Sequence, residues 1–510
     1  MSEAGVAPNR ALLTCCVVLA VIMQALDTTI ANVALPYMQG SVSASADQIN
    51  WVLTSYIVAA AIMTQPSAFL ARRFGRKRVL LTAIVAFVIA SILCGLAQSL
   101  EQIILFRLLQ GFAGAALVPL SQGIMLDHYS LKERGSAMAL FGVSVMVGPV
   151  LGPVVGGWLT EHLSWRWVFF INLPIGLLAF VGLMKYVSET PVQRETRLDW
   201  VGFGSLSIAI LAFQLFLDRG EQLDWFSSGE ILLEFVVALV ATYVFLVHTF
   251  TSDKPFVSPD LFKDRNFALG VVFIFIIGIT YLASLALMTP YLQKLMGYPV
   301  LDAGLAMGPR GLGTMFSMFF AGRLIGKVDT RWLLFVGLLL SALSMHWMSE
   351  WTPDVSMQTL VLVGFVQGAS LGLLFVPLNT IAFATLNPTL RADATGLFSL
   401  SRNVGSSVGI SLVTVLLTRN TQVLHEELSG LITPFNRALE SWSAQTYLNP
   451  DSASGRALLD QTITFQATSM AYLNDFSLLM WLSIVVMPLL LLLRPVAPAH
   501  GPNEEAMVLD

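Results

Sequence analysis

Asp27 and Arg107 are the two ionisable side chains that lie deep inside apolar stretches of the first half of the sequence. A charged group at the centre of a membrane helix costs about 2.5–3.5 kcal/mol on insertion scales, so both should face the protein interior or a water-filled cavity. Burial disfavours the charged form of a carboxyl group, which favours proton binding near neutral pH. The pattern predicts that Asp27 binds a proton reversibly and that Arg107 controls its affinity. A structural Asp27 and a static buried ion pair are the alternatives.

Six polar or aromatic residues at a similar predicted depth are candidate contacts for a small molecule in a cavity between helices. Amide and phenol groups can hydrogen-bond to a ligand without the large penalty of a buried charge. These residues are Gln24, Tyr56, Gln110, Tyr281, Gln367 and Asn403.

A string rich in glycine and proline runs from residue 148 to residue 157. Glycines four residues apart share one face of a helix and allow a second helix to approach closely, while prolines interrupt the backbone hydrogen bonds. The string therefore predicts a tightly packed, bendable helix. Its members are Gly148, Pro149, Gly152, Pro153, Gly156 and Gly157.

A basic turn separates the second and third apolar segments, and a weaker version of it occurs at residues 322–327. Its charges could hold two halves of a protein together at the cytoplasmic face, or they could only anchor the turn there by the positive-inside rule. The second copy favours a latch between halves. The residues concerned are Arg72, Arg73, Gly75, Arg76 and Lys77.

The amino-acid composition indicates the class of protein in which these residues are placed. The chain has 510 residues, of which 55% are apolar and only 12% are charged, against roughly 25% charged in soluble domains. The soluble, disordered, fibrous and nucleic-acid-binding classes are thereby excluded, and the net charge of -4 indicates no polyanionic partner. The class that remains is a polytopic membrane protein in contact with lipid.

Catalytic and metal-binding patterns are missing from the sequence. The three cysteines, Cys15, Cys16 and Cys94, lie in apolar segments without Cys-x-x-Cys spacing, so disulfides and zinc sites are not expected. No phosphate-binding loop of the Gly-x-x-x-x-Gly-Lys-Ser/Thr type occurs. We therefore expect no enzyme activity, no catalytic residue, no cofactor and no metal, with an ion gradient as the source of energy.

Fourteen apolar segments are predicted as membrane helices, with both termini in the cytoplasm. In this orientation nineteen Lys and Arg residues lie in cytoplasmic segments and six lie on the opposite side, as the positive-inside rule requires. Connections are short except for a polar outer loop at 419–469. The segments lie near 11–35, 49–70, 79–98, 102–126, 136–159, 166–187, 200–217, 230–249, 267–290, 303–324, 332–349, 357–384, 394–417 and 471–493.

An internal repeat relates helices 1–6 to helices 9–14. Gln110 recurs as Gln367 and Gly148 as Gly405, each 257 residues later, and residues 36–39 recur at a spacing of 254. Two parallel six-helix repeats about an axis along the membrane normal form the major facilitator fold. The predicted division is an N-terminal bundle at 1–198, an inserted helix pair at 199–266, a C-terminal bundle at 267–494 that includes the loop 419–469, and a cytoplasmic tail at 495–510.

The basic turn, the segment around Arg107 and the string at 148–157 resemble the signature motifs of major facilitator drug:proton antiporters, in which the string is associated with antiport. Residues 26–36 are similar to the helix 1 signature of the fourteen-helix branch, and residues 217–228 are similar to a stretch of EmrB-type multidrug exporters. The resemblance covers essentially the whole chain. It implies a proton-coupled antiporter of the bacterial inner membrane that exports hydrophobic or amphipathic toxic compounds by alternating access.

The resemblance also implies two protein partners, a periplasmic adaptor (a membrane fusion protein) and an outer-membrane channel. The chain departs from the general family pattern at one position, because Arg72 stands where the family has an acidic residue. The acid–base latch of that motif is therefore not expected at Arg72.

Two other functions are compatible with a polytopic helical chain. A proton-coupled uptake symporter for a small polar nutrient would need several convergent charges, and the C-terminal half has few deep ones besides Arg310 and Arg402. A non-transporting sensor would need an output domain, which is not expected in the short tail after Arg494.

Overall fold

The protein is all-helical in the computed structural model, which describes residues 10–495 apart from 50, 130–132, 191, 193–197, 254, 388–389 and 433–451. Within these residues there is no strand, and one isolated bridge joins Ile325 and Val328. Helices suit this apolar chain because a helix satisfies its backbone donors and acceptors within the segment itself, as a lipid environment demands.

Helices occupy all fourteen predicted segments, and we number them α1 to α14 in chain order. Three are interrupted: α2 at Gln65 and Pro66, α4 at Ala115 and Ala116, and α6 at Ile171. The bounds are Arg10–Ser41 (α1), Trp51–Thr64 and Ser67–Phe74 (α2), Arg76–Leu96 (α3), Leu100–Gly114 and Leu117–His128 (α4), Arg134–His162 (α5), Trp167–Phe170 and Asn172–Tyr186 (α6), Trp200–Arg219 (α7), Gly229–Thr251 (α8), Arg265–Pro290 (α9), Val300–Leu324 (α10), Thr330–Ser349 (α11), Met357–Ala384 (α12), Arg391–Gly430 (α13) and Ala453–Val486 (α14).

Eleven helices of the described part of the chain are long and apolar enough to cross a membrane. They are α1, α3, α4, α6 to α9 and α11 to α14. The prediction of an all-helical, multi-pass chain is therefore confirmed. The count of fourteen spans and the cytoplasmic location of both termini stay predictions.

Glycines allow the two repeat-related helix pairs, α1–α5 and α9–α13, to pack closely. A Cβ atom at Gly148 would overlap the carbonyl oxygen of Ala25, and a Cβ atom at Gly405 would overlap that of Phe275. Only glycine leaves room for such an approach of one backbone to another. The repeat-related glycines thus serve the same packing purpose in each half of the molecule.

The two halves meet on two sides, and these sides differ. On one side α5 packs along α10. On the repeat-related side α2 and α13 make few contacts, and α7 lies against both. There Thr54 Oγ1 donates to Asp218 Oδ2 at 2.8 Å, and Ser411 Oγ donates to the carbonyl of Leu217 at 3.2 Å. Helix α7 of the inserted pair therefore bridges the halves on the side where they are less tightly packed.

Arg72 of the basic turn forms an ion pair between the two halves. Its Nη1 lies 2.8 Å from Oδ1 of Asp393 in the first turn of α13, with side-chain exposures of 33% and 23%. The neighbouring Arg73 instead lies beside Phe74, 5.8 Å from the ring centroid. The structure differs here from the expectation that Arg72 makes no acid–base latch, because the opposite half supplies the carboxylate.

Two uncharged hydrogen bonds join the halves at the same end of the molecule. Gln65 Nε2 donates to the carbonyl of Gly396 at 3.3 Å, and Gln122 Nε2 donates to Oδ1 of Asn379 at 3.2 Å. Gln122 and Asn379 are 257 residues apart, which is the spacing of the internal repeat. Their bond therefore joins equivalent positions of the two halves at this end of the molecule.

The rest of the basic turn contacts other parts of the N-terminal half. Gly75 has a φ angle of +93°, which glycine adopts without strain. Arg76 pairs with Asp127 at the end of α4, and the backbone N–H of Lys77 donates to Oε1 of Glu189 at 3.1 Å. These contacts hold the turn in the position from which Arg72 reaches the other half.

The predicted outer loop at 419–469 is partly helical. α13 continues to Gly430 and α14 begins at Ala453, so both helices extend beyond the predicted segments. His425 and Asp460 join the two extensions, with 3.0 Å between Nε2 and Oδ1. The prediction relied on apolar runs and missed these extensions, whose sequence is polar but contains no helix-breaking proline. Residues 433–451 of the loop lie outside the described residues.

Replacing Gly148 by valine tests the close α1–α5 contact. Overpacking of this kind costs about 1–3 kcal/mol, so we expect Gly148→Val to lower the melting temperature, measured as loss of monodisperse protein on heating. Gly157→Val is the control on the same helix, because a Cβ atom at Gly157 meets no other atom within 4 Å. An equal loss in both variants would contradict the packing role of Gly148.

Reversing the charges of Arg72 and Asp393 tests the ion pair between the halves. Arg72→Asp alone places two carboxylates opposite each other, and adding Asp393→Arg should restore attraction. A partly exposed ion pair contributes up to about 1 kcal/mol, so we expect about a fivefold change in the population in which the two halves touch at this end. Disulfide formation between Gln65→Cys and Gly396→Cys, in a background without the native cysteines, measures that population. A double reversal that crosslinks no faster than Arg72→Asp would refute the pairing.

Candidate proton and substrate site

Asp27 of α1 lies at the centre of a buried hydrogen-bond cluster in the N-terminal half. Its Oδ2 accepts from Arg107 Nη1 at 2.7 Å, and its Oδ1 accepts from Gln110 Nε2 and Asn172 Nδ2, each at 2.7 Å. The side-chain exposure is 0% for Asp27 and 1% for Arg107. Three donors thus satisfy a carboxylate that is removed from solvent, which is how a buried charge is tolerated.

Arg107 of α4 is also satisfied by its surroundings. Its Nε donates to the carbonyl of Val52 at 3.2 Å, and its Nη1 donates also to Oε1 of Gln110 at 2.9 Å. The guanidinium carbon lies 4.2 Å from the ring centroid of Tyr56, within the range of a cation–π interaction. Arg107 therefore ties α4 to α2 as well as to α1.

The sequence analysis missed Asn172, which bonds directly to Asp27, and Ser91, which lies behind Asn172. Asn172 Nδ2 also donates to Ser91 Oγ at 2.9 Å, and Ser91 Oγ donates to the carbonyl of Phe169 at 2.8 Å. Asn172 Oδ1 has no hydrogen-bond partner among the residues that the structure describes. The only sequence signal was an asparagine within the predicted sixth helix. From sequence alone, a functional asparagine in a membrane helix cannot be told from a structural one.

Local sequence explains why α4 presents its polar groups together. The helix begins after Ser99, whose hydroxyl accepts from the backbone N–H of Gln102 at 3.4 Å. Arg107 and Gln110 are three residues apart and so share a face. On that face a Cβ atom at Gly111 would overlap the backbone of α2 at Tyr56, so the glycine lets α2 approach and cover the cluster.

The six predicted substrate contacts fall into two groups. Tyr56 and Gln110 belong to the Asp27 cluster and are buried, and Gln367 of α12 is buried with its Nε2 3.7 Å from the sulfur of Met345. Their direct contact with a substrate stays a prediction. The other three are half-buried and so retain surface that a ligand could contact: Gln24, Tyr281 and Asn403.

The glycine and proline string lies in α5 and faces α1. A Cβ atom at Gly152 would overlap Thr29, and one at Gly156 would lie 2.9 Å from Ile30. Thr29 Oγ1 donates to the carbonyl of Gly148 at 2.8 Å. The helix is continuous from Arg134–His162 through both prolines. The string thus packs α5 against α1, the helix of Asp27, while α5 also packs along α10 of the other half. The bending of α5 stays a prediction.

A second buried carboxylate, Asp475 of α14, escaped the sequence analysis. The residue is 1% exposed, and neither carboxylate oxygen has a hydrogen-bond partner among the described residues. Its neighbours Tyr472 and Phe476 pack against Tyr291, with ring centroids 5.3 and 6.2 Å apart. The available signal was a lone carboxylate near the start of the last apolar segment.

Relatives of the chain are resistance and export proteins. The family model of the Major Facilitator Superfamily matches residues 17–410. The chain is 36% identical to the Fatty acid resistance protein FarB of Neisseria gonorrhoeae, over 95% of each protein. It is 34% identical to the Multidrug export protein EmrB of Escherichia coli strain K12, over 96% of each protein. These similarities indicate a transporter rather than an enzyme.

Solved structures share the fold at low sequence identity. A bacterial homolog of the human lysosomal transporter Spinster, inward-facing and unoccupied, matches with a TM-score of 0.58 and 18% identity over 98% of this chain and 100% of that chain. The human organic anion transporter MFSD10 matches with a TM-score of 0.57 and 15% identity, over 93% of this chain and 100% of that chain. With its helical fold, its family match and its relatives, the chain belongs to the Major Facilitator Superfamily and is a multi-pass membrane transporter similar to the EmrB-type multidrug exporters.

Proposed function

We propose that the protein is a proton-coupled antiporter that exports hydrophobic and amphipathic toxic compounds across the bacterial inner membrane by alternating access. The observation that carries the proposal is the buried cluster of Asp27 and Arg107. One added proton changes the charge of this cluster, and buried ionisable groups in membrane helices usually serve transport. The names of the relatives support the substrate class, and the proton gradient supplies the energy without a cofactor.

Protonation of Asp27 would loosen the cluster. A neutral carboxyl group accepts weaker hydrogen bonds than a carboxylate does, so the contacts from Arg107, Gln110 and Asn172 would all weaken at once. Arg107 would keep the Val52 carbonyl and the Gln110 side chain as partners. The protonated and deprotonated clusters therefore favour different arrangements of α1, α4 and α6.

α4 and α5 connect this change to the contact between the halves. α4 carries Arg107 in its first piece and Gln122, which bonds to Asn379 of the other half, in its second piece. α1 carries Asp27 and packs on α5, which packs along α10. A change in the cluster thus reaches two of the places at which the halves touch, as alternating access requires.

Replacing Asp27 by asparagine tests the coupling role, because it removes the titrating group at nearly constant volume. We expect Asp27→Asn to abolish drug-driven proton efflux from inside-out vesicles, with a loss of at least about 100-fold. Asp27→Glu, which keeps a titrating group, should retain measurable activity. Asp260→Asn is the exposed control, with a side-chain exposure of 60%. Undiminished drug resistance in Asp27→Asn at normal expression would rule out Asp27 as the coupling site.

We also propose that the extensions of α13 and α14 bind a periplasmic adaptor that leads to an outer-membrane channel. α13 has 40 residues, about 60 Å of helix at 1.5 Å per residue, against a hydrocarbon core of about 30 Å. Apolar side chains are exposed on these extensions, namely Val423 at 45%, Leu458 at 40% and Phe465 at 36%. Exposed apolar residues on a polar helix pair are typical of an interaction surface.

Charged substitutions on the extensions test this docking surface. We expect Val423→Asp combined with Phe465→Asp to lower co-purification of a co-expressed adaptor about tenfold or more, because apolar contacts at an interface are replaced by charge. Transport in proteoliposomes should not change. Thr462→Asp on the same extension is the control. Efflux across both membranes that survives the double substitution would contradict the proposal.

A further inference from the structure

Arg310 of α10 is a buried guanidinium with unused hydrogen-bonding capacity. The residue is 5% exposed, and its Nη2 donates to the carbonyl of Tyr281 at 3.0 Å and to Ser284 Oγ at 2.9 Å. Its Nε and Nη1 have no partner among the residues that the structure describes. An arginine stays charged in proteins, and a buried charged donor without a partner is strongly unfavourable. An acceptor placed at these atoms would therefore be bound favourably.

No carboxylate balances the charge of Arg310 in the described part of the chain. Arg310 takes part in none of the ion pairs found there. The helices α9 and α12 contain no Asp or Glu at all. On α10 itself Asp302 precedes Arg310 by eight residues, about 12 Å along the helix axis. The positive charge thus has no internal counter-ion among the residues that the structure describes.

The internal repeat shows how the two halves differ at this place. At the spacing of 254 residues that relates the first helix of each half, Tyr281 corresponds to Asp27. Asp27 forms an ion pair with Arg107, whereas the ring of Tyr281 lies 4.3 Å from the guanidinium carbon of Arg310. An aromatic face attracts a cation but does not neutralise it. The C-terminal half therefore keeps a net positive charge where the N-terminal half has a neutral pair.

Arg402 of α13 adds a second cation beside the same turn of α9. A Cβ atom at Gly278 would overlap the carbonyl oxygen of Arg402, and Gly278 is one turn before Tyr281. Arg402 is half-buried and also belongs to none of the ion pairs in the described residues. Two arginines without a described carboxylate thus border residues 278–284.

We propose that Arg310 binds the anionic head group of an amphipathic substrate, a long-chain carboxylate, within the C-terminal half. The inference rests on the proposed export function and adds the charge class of one substrate to it. A carboxylate has two oxygens that can accept charge-assisted hydrogen bonds from the free Nε and Nη1, and its alkyl chain suits the apolar helices around them. At 5% exposure, Arg310 is shielded from the head groups of surrounding lipid.

Equilibrium binding to the purified full-length protein in a neutral maltoside detergent tests this proposal. The probes are laurate, dodecanol and dodecyltrimethylammonium, which share one chain length and differ in charge. We expect the wild-type protein to bind laurate about tenfold or more tightly than dodecanol. Arg310→Gln should abolish this preference without weakening the binding of dodecyltrimethylammonium, and Arg310→Lys should retain part of it.

Arg323→Gln is the matched control. Arg323 lies on the same helix and over an aromatic ring, 3.7 Å from the centroid of Phe319, but it is exposed. This variant should bind all three probes as the wild type does. Loss of laurate preference in Arg323→Gln to the same extent as in Arg310→Gln would remove the support for a specific site.

Two results would overturn the proposal. Equal binding of laurate and dodecanol by the wild-type protein would overturn it, and this measurement does not depend on whether a variant folds. Equal loss of all three probes in monodisperse Arg310→Gln would show a structural arginine instead. Proton-coupled export of cationic drugs, measured separately in vesicles, reports on the proposed function itself, so failure of one proposal is distinguishable from failure of the other.

Discussion

The buried ion pair between Asp27 and Arg107 is the interaction on which the N-terminal half depends. Removing two charges from water is unfavourable, and their mutual attraction offsets that penalty only when the remaining donors and acceptors are also satisfied. Here Gln110, Asn172 and the Val52 carbonyl complete the set. The groups come from α1, α2, α4 and α6, so the need to satisfy one charge pair determines how four helices sit against one another.

The C-terminal half treats its buried charges differently. Arg310 lies over an aromatic ring with two nitrogen atoms unpartnered in the described structure, and Asp475 is buried without a hydrogen-bond partner there. Neither group is stabilised by the protein as completely as the pair in the first half is. Unpaired hydrogen-bonding atoms on a buried group can be satisfied by a ligand, whereas a fully bonded ion pair holds helices together until a proton changes its charge. Our proposals accordingly assign anion binding to the incompletely bonded Arg310 in the C-terminal half and proton coupling to the fully bonded Asp27 cluster in the N-terminal half.

The helices and the central pair could be predicted from the sequence because both leave signals along the chain. Apolar runs mark membrane helices, and a carboxylate such as Asp27 inside one is unfavourable enough to indicate a function. The residues that bond to Asp27 and to Arg72 could not all be predicted. A buried amide such as that of Asn172 needs only hydrogen-bond partners, so its position in a helix does not indicate a function. A carboxylate near a turn, such as that of Asp393, is common in any protein. Asp475 lies near the start of the last apolar segment, where only the residues packed around it determine whether it is exposed to water. The polar end of α13 was missed because hydropathy does not report helix propensity or the contact that His425 makes.

Gln122 and Asn379 meet in the way that a residue and its own copy meet on the axis of a symmetric dimer. The molecule is thus built like a dimer whose two subunits are joined within one chain through α7 and α8. A dimer of identical subunits must carry the same residue at both copies of every position. The joined chain carries Asp27 in one half and Tyr281 at the equivalent position in the other. Covalent joining therefore lets the halves differ in charge at equivalent places, a freedom that identical subunits do not have.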